Sequence, residues 1–353
     1  MVASQGRAFV AMSGGVDSSV AAALLAEQGY DVAGVMLHLW AEEENRCCSP
    51  QAVEDARAVA EQLGIELSLV DYQAEFRSCV VDYFIAEYSL GRTPNPCLAC
   101  NKQIRFGRLL RHVRELGAEF LATGHYARIT EIDGAYRLQK GLEAQKDQSY
   151  VLYMLGQEEL RRLRFPVGGY SKAQVREMAR ERGLLVADKD ESMEICFVTD
   201  DDYRRFLREH APQSVRPGPI LDTSGQEIGR HRGLPYYTVG QRRGLGIAAP
   251  EALYVLRLDV STNALIAGTA RELGQRNLLA DEVSYVCGSP PEGPVRVQAK
   301  IRYRARLADA TWTPLEGKQA KVVFEEPLRD ITPGQAVVAY QGDLVLGGGI
   351  ISE

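Results

Sequence analysis

The sequence predicts an α/β protein in three parts, and three observations support this prediction. In the first 200 residues, short apolar strands alternate with helical patterns, as is typical of a parallel sheet covered by helices. After residue 200, glycine and proline become frequent, and short strands with turn signals replace the helices. A chain of 353 residues also has the length of two or three domains. We therefore expect a parallel-sheet domain over 1–205, a small mixed connector domain over 206–252 and a C-terminal β-barrel over 253–353.

The individual elements follow from hydrophobic periodicity and turn residues. Strands of the first domain are predicted in four short apolar runs: 7–12, 31–38, 66–71 and 119–123. Helices are predicted between them: 18–28, 52–63, 74–89 and 102–116. Gly29, Gly64 and Gly117 follow three of these helices, where a left-handed cap belongs. Asp133-Gly134 predicts a hairpin turn. Barrel strands are predicted in later apolar runs: 254–259, 295–303, 321–324 and 336–340.

Composition excludes several classes of protein. Hydrophobic residues make up 45% and charged residues 25%, so the chain has material for a core and no signature of disorder. No apolar run reaches the 18 or so residues that a bilayer requires, and Met1 to Met12 lacks the features of a secretory signal. We therefore expect no membrane association and a cytoplasmic location. The seven cysteines, an odd number, indicate reduced thiols.

Basic residues are concentrated in two regions, although the net charge is −6. Residues 202–247 contain eight arginines and four acidic residues. Between 296 and 306, five cations occupy even-numbered positions: Arg296, Lys300, Arg302, Arg304 and Arg306. On a strand they would share one face, because side chains alternate with a period of two. Such a face either contacts a polyanion or protects an exposed strand edge.

The loop after the first strand has the features of a phosphate-binding loop. Ser13-Gly14-Gly15-Val16-Asp17-Ser18-Ser19 connects an apolar strand directly to a helix. Glycines allow a tight turn, and the N–H groups at a helix N-terminus attract phosphate. A carboxylate beside a triphosphate is repulsive without a cation, so we predict Mg²⁺ at Asp17. The alternative is a structural turn in which a serine caps the helix.

Three cysteines are candidates for sulfur or metal chemistry. Cys97 and Cys100 form a Cys-x-x-Cys pair at a predicted helix start, followed by basic residues, so Cys100 is expected to be nucleophilic. Cys196 lies in a later loop that is expected at the same edge of the sheet. A redox or sulfur-transfer pair, an iron–sulfur site and a zinc site are the alternatives. Cys47-Cys48 is poorly spaced for zinc, and Cys79 and Cys287 are expected to be packing residues.

Two further polar segments follow predicted strands. Gly124-His125 comes after the strand that ends at Thr123, which places His125 at the carboxyl edge as a candidate ligand contact. Lys146, Asp147 and Gln148 form a loop before a helical pattern. Asp147 can cap that helix, and Lys146 can contact a phosphate or a base.

The motifs together resemble those of the tRNA-specific 2-thiouridylase family. They span nearly the whole chain in order: Met12–Ser19, Gly91–Lys102, Thr123–Tyr126, Lys146–Tyr150, Ile195–Phe197, Gly240–Gly246, Arg302–Arg304 and Thr332–Gln335. The phosphate loop alone is typical of the wider superfamily of PP-loop ATP pyrophosphatases, which have the adenine nucleotide alpha hydrolase-like fold. The resemblance implies that ATP adenylates the C2 oxygen of the wobble uridine of tRNA and that sulfur then replaces it.

The resemblance also implies roles for individual residues. ATP would be bound by Ala11, Met12, Ser13, Gly14, Gly15, Val16, Asp17, Ser18, Leu37 and Gly124. The target base would be contacted by Asn95, Pro96 and Cys97. Other parts of the tRNA would be contacted by His125, Lys146, Asp147, Gln148, Arg302, Tyr303 and Gln335. Cys196 would receive a persulfide sulfur from a relay protein or a cysteine desulfurase. Cys100 would release that sulfur and form a disulfide with Cys196, which a reductant reopens.

One position departs from the family. Many members have Asp where this sequence has Cys97, so an acid or base role cannot be transferred to it. Cys97, Cys100 and Cys196 would supply three ligands for a [4Fe–4S] cluster, which is the alternative sulfur route. Two other functions are a PP-loop enzyme that adenylates a small metabolite, and an RNA-binding protein with a redox-sensing Cys-x-x-Cys.

Overall fold

A computed structural model describes residues 5–42, 49–190 and 195–352. Cys47 and Cys48 lie outside the described residues. The α-helices are α1 (Val16–Glu27), α2 (Pro50–Leu63), α3 (Gln73–Phe76), α4 (Asp82–Ser89), α5 (Pro96–Ala99), α6 (Leu110–Glu115), α7 (Gln157–Arg161), α8 (Lys172–Glu181), α9 (Tyr203–His210) and α10 (Ala270–Leu273). The first-domain strands and hairpin are β1 (Arg7–Met12), β2 (Asp31–His38), β3 (Glu66–Asp71), β4 (Phe120–Thr123), β5 (Ala127–Ile132), β6 (Ala135–Lys140) and β7 (Leu163–Arg164).

The first domain is a five-stranded parallel sheet in the order β3-β2-β1-β4-β7. The bounds of β1, β2 and β3 agree with the prediction. Alternate residues of β1 face opposite layers: Val10 packs with α1, α2 and α8, whereas Phe9 packs with α6 and the segment before it. The predicted glycine caps and the Asp133-Gly134 turn have the expected positive φ angles. All these strands therefore end at one edge, where their following loops meet.

Two predicted helices are longer and less regular than the sequence suggests. The helix predicted over 102–116 begins at Pro96, and a π-helical segment (Cys100–Leu109) separates α5 from α6. Gly107 lies in this wide turn, where a Cβ would be 2.7 Å from the carbonyl oxygen of Lys102. A second π-helical segment (Arg77–Val81) joins α3 to α4. Among the described residues, no helix combines the length and apolarity needed to cross a membrane.

The middle of the chain forms a four-stranded sheet, in the order β10-β11-β8-β9. Its strands are β8 (Gly218–Leu221), β9 (Glu227–His231), β10 (Tyr254–Asp259) and β11 (Ala264–Gly268). The prediction placed 254–259 in the barrel, but this strand pairs with β11, which in turn pairs with β8. Strand periodicity does not identify the partner strand, which explains the difference.

The C-terminal part is a closed six-stranded barrel. Its strands are β12 (Gln275–Tyr285), β13 (Val295–Lys300), β14 (Ala308–Leu315), β15 (Gln319–Leu328), β16 (Ala336–Gln341) and β17 (Leu344–Ile351). The order is β12-β15-β14-β13-β16-β17, and β17 returns to pair with β12. The hairpin of β5 and β6 extends this sheet through Gln139, which pairs with Leu344. The barrel is thereby fixed to the loops that follow β4.

Candidate active site

The segment after β1 forms an open turn at the start of α1. Gly14 has a φ of 67°, which favours glycine, and the helix N-cap is Gly15. Ser18 Oγ donates to the Gly15 carbonyl at 3.1 Å and accepts from the Ser13 N–H at 3.2 Å. No side chain caps the helix, so the alternative of a serine N-cap is wrong. The turn presents main-chain donors at a helix N-terminus, which is suitable for phosphate.

Asp17 is part of an ion pair rather than an open carboxylate. Lys172 Nζ lies 2.7 and 2.8 Å from its two carboxylate oxygens, and the Tyr126 hydroxyl donates to Oδ1 at 2.7 Å. The prediction of Mg²⁺ at Asp17 assumed an uncompensated negative charge beside phosphate. Lys172 supplies a compensating charge from within the protein, so that assumption does not hold in this structure, and Mg²⁺ at Asp17 stays a prediction.

Two more contacts shape the phosphate loop. Lys189 Nζ donates to the Gly14 carbonyl at 2.9 Å and also pairs with Asp55. Burial alone would raise the pKa of Asp55, but hydrogen bonds from Lys189 and Gln51 hold it below its ordinary value. Lys172 and Lys189 are not predicted as site residues, because each is a single lysine without a local motif.

Gly124 lies directly against the start of α1. A Cβ at this position would be 2.7 Å from the Ser18 nitrogen and 2.8 Å from the Asp17 carbonyl carbon. These are main-chain atoms that cannot rotate away. The end of β4 therefore approaches the phosphate loop as closely as only glycine allows, and the ATP contact of Gly124 stays a prediction.

The Cys-x-x-Cys pair occupies two different environments. Asn95 caps the helix by accepting a hydrogen bond from the Cys97 N–H at 3.0 Å, and Pro96 is the first helical residue. Cys97 is exposed in this first turn, whereas Cys100 is only 7% exposed. The prediction placed the pair of Cys97 and Cys100 at the helix start; only Cys97 lies in the first turn, because the helix begins earlier than expected.

Cys100 and Cys196 border the same apolar cluster. Cys100 is one of its buried members, and Cys196 packs against it from the loop before α9. The cluster is lined by large side chains: Phe76, Phe84, Phe197, Phe206 and Tyr88. Leu37, at the carboxyl end of β2, packs against this cluster and also against the main core of the first domain. Leu37 therefore lies between the carboxyl edge of the sheet and the environment of the two thiols.

The three predicted iron ligands do not form a ligand group. In residues 5–42, 49–190 and 195–352, no three His, Cys, Asp or Glu side chains converge on a point that could hold a metal ion. Cys97 is exposed, whereas Cys100 is buried in the apolar cluster. In the described residues, the three cysteines are therefore not preorganised as a metal-ligand group.

His125 is a packing residue in this structure. It is 6% exposed, its Nδ1 lies 2.7 Å from Thr123 Oγ1, and its ring contacts Phe106 and Phe165. Burial, with a smaller effect of the Arg105 charge, lowers the pKa of His125 to about 3. The ring is neutral and enclosed, which differs from the predicted contact with tRNA.

The loop 146–148 supports the residues beside the phosphate loop. Asp147 is buried and accepts hydrogen bonds from Gly141 N, Ser149 N and Ser149 Oγ at 2.9 to 3.0 Å. Gln148 Oε1 accepts from the Tyr126 N–H at 2.9 Å, and its own N–H donates to the Tyr126 carbonyl. Asp147 thus holds the loop, and Gln148 holds Tyr126 beside the phosphate loop. Lys146 is half-buried in the same loop.

The predicted cationic ribbon is interrupted. Strand β13 ends at Lys300, and Arg302 and Tyr303 lie in the bend and turn that follow. Arg302 is half-buried and donates to the Val239 carbonyl at 2.9 Å and to Thr332 Oγ1. Burial lowers its pKa from the ordinary value. Strand β13 is paired on both sides, so edge protection does not explain the cations either.

Tyr303 and Gln335 also make internal contacts. The Tyr303 ring is half-buried, 6.1 Å from the ring of Tyr150. Gln335 Nε2 donates to the Thr93 carbonyl at 2.7 Å. Of the cations predicted to share one face, Arg296, Arg304 and Arg306 are exposed.

Three family models match consecutive parts of the chain. The model described as tRNA methyl transferase HUP domain matches residues 6–200. The tRNA methyl transferase PRC-barrel domain matches residues 204–269, and the aminomethyltransferase beta-barrel domain matches residues 275–351. The boundary between the second and third family models agrees with the boundary between the two sheets, because the middle sheet ends with β11 and the barrel begins with β12.

Curated relatives match along nearly the whole length. The tRNA-specific 2-thiouridylase MnmA of Moorella thermoacetica is 53% identical over 353 residues, which cover 98% of this chain and 99% of that protein. The proteins of the same name from Roseiflexus castenholzii and Herpetosiphon aurantiacus are each 51% identical, over 98% of this chain and 99% and 98% of their own. This chain therefore belongs to the tRNA-specific 2-thiouridylase MnmA family.

Proposed function

We propose that this protein catalyses ATP-dependent 2-thiolation of the wobble uridine of tRNA, by adenylation of the C2 oxygen followed by attack of a cysteine-borne persulfide sulfur. One observation carries the proposal: Cys100 and Cys196 pack in or against the same apolar cluster, and Leu37 packs against that cluster from the carboxyl end of β2, beside the strand end where the phosphate loop begins. The curated relatives are named tRNA-specific 2-thiouridylases, which supports 2-thiolation of uridine in tRNA as the reaction.

The first step is the activation of a poor leaving group. ATP would occupy the turn Ala11–Ser18, with Leu37 and Gly124 at its sides. The C2 oxygen of the uridine attacks the α-phosphorus, and the bond from that phosphorus to the pyrophosphate oxygen breaks. The open N-terminus of α1 supplies main-chain donors for the phosphates, and Mg²⁺ bound with ATP would neutralise part of the phosphate charge. The product is an O-adenylated uridine and pyrophosphate.

The second step transfers sulfur. A persulfide on Cys196, received from a relay protein or a cysteine desulfurase, attacks C2 with its terminal sulfur. The C–S bond forms, and the C–O bond to AMP breaks. The Cys100 thiolate then attacks Cys196 Sγ, which breaks the sulfur–sulfur bond and leaves the thiolated base. The two cysteines lose two electrons in forming their disulfide, and a cellular reductant returns them.

Several residues would place the tRNA for these steps. Asn95, Pro96 and Cys97 lie at the start of α5, where Cys97 is exposed and a flipped base can enter. Arg304 and Arg306 are exposed beyond β13 and are suitable for phosphate contacts. The other predicted tRNA contacts have internal partners and would act by supporting the loops around the base. They are His125, Asp147, Gln148, Arg302, Tyr303 and Gln335.

Sulfur incorporation into unmodified substrate tRNA tests the proposal. We expect Cys100→Ser and Cys196→Ser each to reduce 2-thiouridine formation at least a hundredfold, whereas Cys287→Ser, an exposed barrel thiol, retains it. Iron and sulfide analysis of anaerobically purified protein is the companion measurement. Active protein without iron agrees with the persulfide route; activity that follows iron content, or an active Cys196→Ser variant, would contradict it.

A further inference from the structure

Two neighbouring arginines in the middle of the chain lie outside the site described above. Arg242 and Arg243 are at the centre of the motif Gly240–Gly246, which contributes to the family resemblance but contains no predicted site residue. Both side chains are exposed. No acidic residue occurs from 228 to 250. The formal charge of this part of the chain is therefore entirely positive.

The turn that carries the two arginines is held at both ends. Before it, the main chain of residues 240–241 exchanges hydrogen bonds with Val255 of β10 at 2.8 and 3.0 Å. After it, Leu245 is buried in the apolar cluster of the middle sheet. Within it, the Gln241 side chain donates to the Arg243 carbonyl at 2.8 Å. The two arginine side chains thus extend from a main chain whose position is fixed.

The segment just before this turn contacts the loop that leads into the cysteines. The Thr93 hydroxyl donates to the Thr238 hydroxyl at 3.2 Å, and Thr93 is close in sequence to Asn95, the N-cap of α5. On the barrel side, the Val239 carbonyl accepts from Arg302 at 2.9 Å. The turn therefore follows a segment that lies between the barrel and the proposed entry of the flipped base.

Intramolecular pairing does not explain the two charges. Among the described residues, no carboxylate oxygen lies within 4.0 Å of either guanidinium group, and neither side chain forms a hydrogen bond. In the same sheet, the exposed Arg230 pairs with Glu227 at 3.4 Å. Arg257 likewise pairs with Asp259 at 3.5 Å. Asp330 of the barrel approaches the start of the turn but pairs with neither arginine. Adjacent like charges in a fixed turn repel each other, and an external anion would relieve this repulsion.

We propose that Arg242 and Arg243 bind RNA phosphates next to the wobble uridine. The inference rests on the proposed function and adds a contact from the middle sheet to it. Arg242 follows Thr238 by four residues, which span at most about 14 Å of chain, so the contact is near the base entry. Extrusion of a base costs unstacking energy, and contacts to the flanking phosphates offset this cost and fix the register of the strand. A guanidinium group is suited to phosphate because it can donate two parallel N–H bonds.

The salt dependence of tRNA binding by the full chain tests the inference. Arg242→Met combined with Arg243→Met is expected to weaken binding of unmodified substrate tRNA about tenfold or more, and to lower the slope of log K against log salt by about 1.5. Lysine at both positions is expected to keep most of the slope. Arg230→Met combined with Arg257→Met is the matched control, because it removes the same charge from the same sheet and is expected to leave the slope unchanged.

The isolated anticodon stem-loop locates the contact. It contains the wobble uridine without the rest of the tRNA, so the Arg242 and Arg243 double variant is expected to bind it more weakly by the same factor. ATP affinity, measured by calorimetry, is expected to be unchanged. Thermal unfolding shows whether each variant is folded. If the double variant is not, the two single variants replace it, each with about half the change in slope.

Other roles of the turn give different results. An unchanged slope in the double variant, a loss equal to that of the control, or a loss with tRNA but not with the stem-loop would overturn the inference. Unchanged tRNA binding with slower turnover only when a persulfide-carrying protein replaces inorganic sulfide as donor would place that protein on the turn and would also overturn it. Wild-type protein that binds no tRNA would instead contradict the proposed function.

Discussion

The side-chain amide of Gln335 donates to the carbonyl of Thr93 at 2.7 Å and joins positions 242 residues apart. The Thr93 N–H donates back to the carbonyl of Pro333 at 2.9 Å. A Cβ on Gly334 would lie 2.9 Å from the Thr93 nitrogen, so the two loops are in close contact. The barrel thus positions the segment that leads into Asn95 and α5.

Gln335→Ala is expected to loosen this segment. The Thr93 carbonyl loses its side-chain donor, which is a loss of about 1 kcal/mol of hydrogen-bond free energy. We expect this loss to lower transition-state stabilisation, and kcat/KM for tRNA to fall roughly fivefold. ATP affinity is expected to be unchanged, because the phosphate loop is not involved. Gln319→Ala, which removes an exposed barrel glutamine paired with Asp281, is the control. Equal kinetics for the two variants would contradict the role of Gln335.

Gly124→Ala is expected to damage the nucleotide site. The added Cβ would press on main-chain atoms of Ser18 and Asp17, and such overpacking costs about 1–3 kcal/mol. We expect ATP affinity, measured by calorimetry, to fall about tenfold or more. Gly169→Ala is the control, since no atom lies within 4 Å of its added Cβ. An unaltered ATP affinity in Gly124→Ala would show that this close approach is not needed.

Arg302 is expected to stabilise the fold, whereas Arg304 is expected to contact tRNA. Arg302→Met removes hydrogen bonds to Val239 and Thr332, so we expect the free energy of unfolding to fall by about 1–3 kcal/mol. Arg304→Met changes an exposed side chain and is expected to alter stability by less than about 0.5 kcal/mol. Thermal and urea unfolding measure both. Equal destabilisation by the two variants would refute this assignment.

The salt dependence of tRNA binding provides the complementary measurement for Arg304. If this side chain contacts a phosphate, Arg304→Met lowers the slope of log K against log salt by about one. Arg182→Met, which removes an ion pair to Glu27 in the first domain, is the control and is expected to keep the wild-type slope. An unchanged slope in Arg304→Met would remove Arg304 from the interface.

His125 is expected to make the protein less stable in acid. Its pKa is about 3 in the folded protein, against an ordinary value of 6.5, because burial opposes its charge. Between these values the unfolded chain binds more protons, so stability falls as the pH drops from 6.5 toward 3. The slope from this one residue approaches about 1.4 kcal/mol per pH unit. Urea unfolding of His125→Gln is expected to lack that part of the slope between pH 6.5 and 5; an identical slope would contradict it.

The sequence predicts the architecture of the first domain well because its signals are local. The strands β1, β2 and β3 are short apolar runs, and the glycines after the helices require positive φ. The phosphate loop combines both signals at one strand end. Such features depend on neighbouring residues alone, and the structure places them as predicted.

Features that depend on distant partners are not visible in the sequence. Lys172 has no motif, and only the fold brings it to Asp17. His125 follows a strand as a ligand contact would, but Phe106 and Phe165 enclose its ring. The π-helical segment that begins at Cys100 has a wider turn than an α-helix, and the residue types in the segment do not signal this difference. The alternating cations continue past Lys300, but strand β13 ends at that residue. The chain then bends, and the Arg302 side chain donates to the Val239 carbonyl.

The most direct test asks whether nucleotide activation precedes sulfur transfer within one pocket. Cys196→Ser protein, ATP labelled in its terminal phosphates and unmodified substrate tRNA are combined without a sulfur donor, and pyrophosphate is measured by rapid quench. We predict a burst that approaches one pyrophosphate per active site with tRNA and no burst without it. Pyrophosphate release at the same rate without tRNA, or none until a sulfur donor is added, would contradict the account.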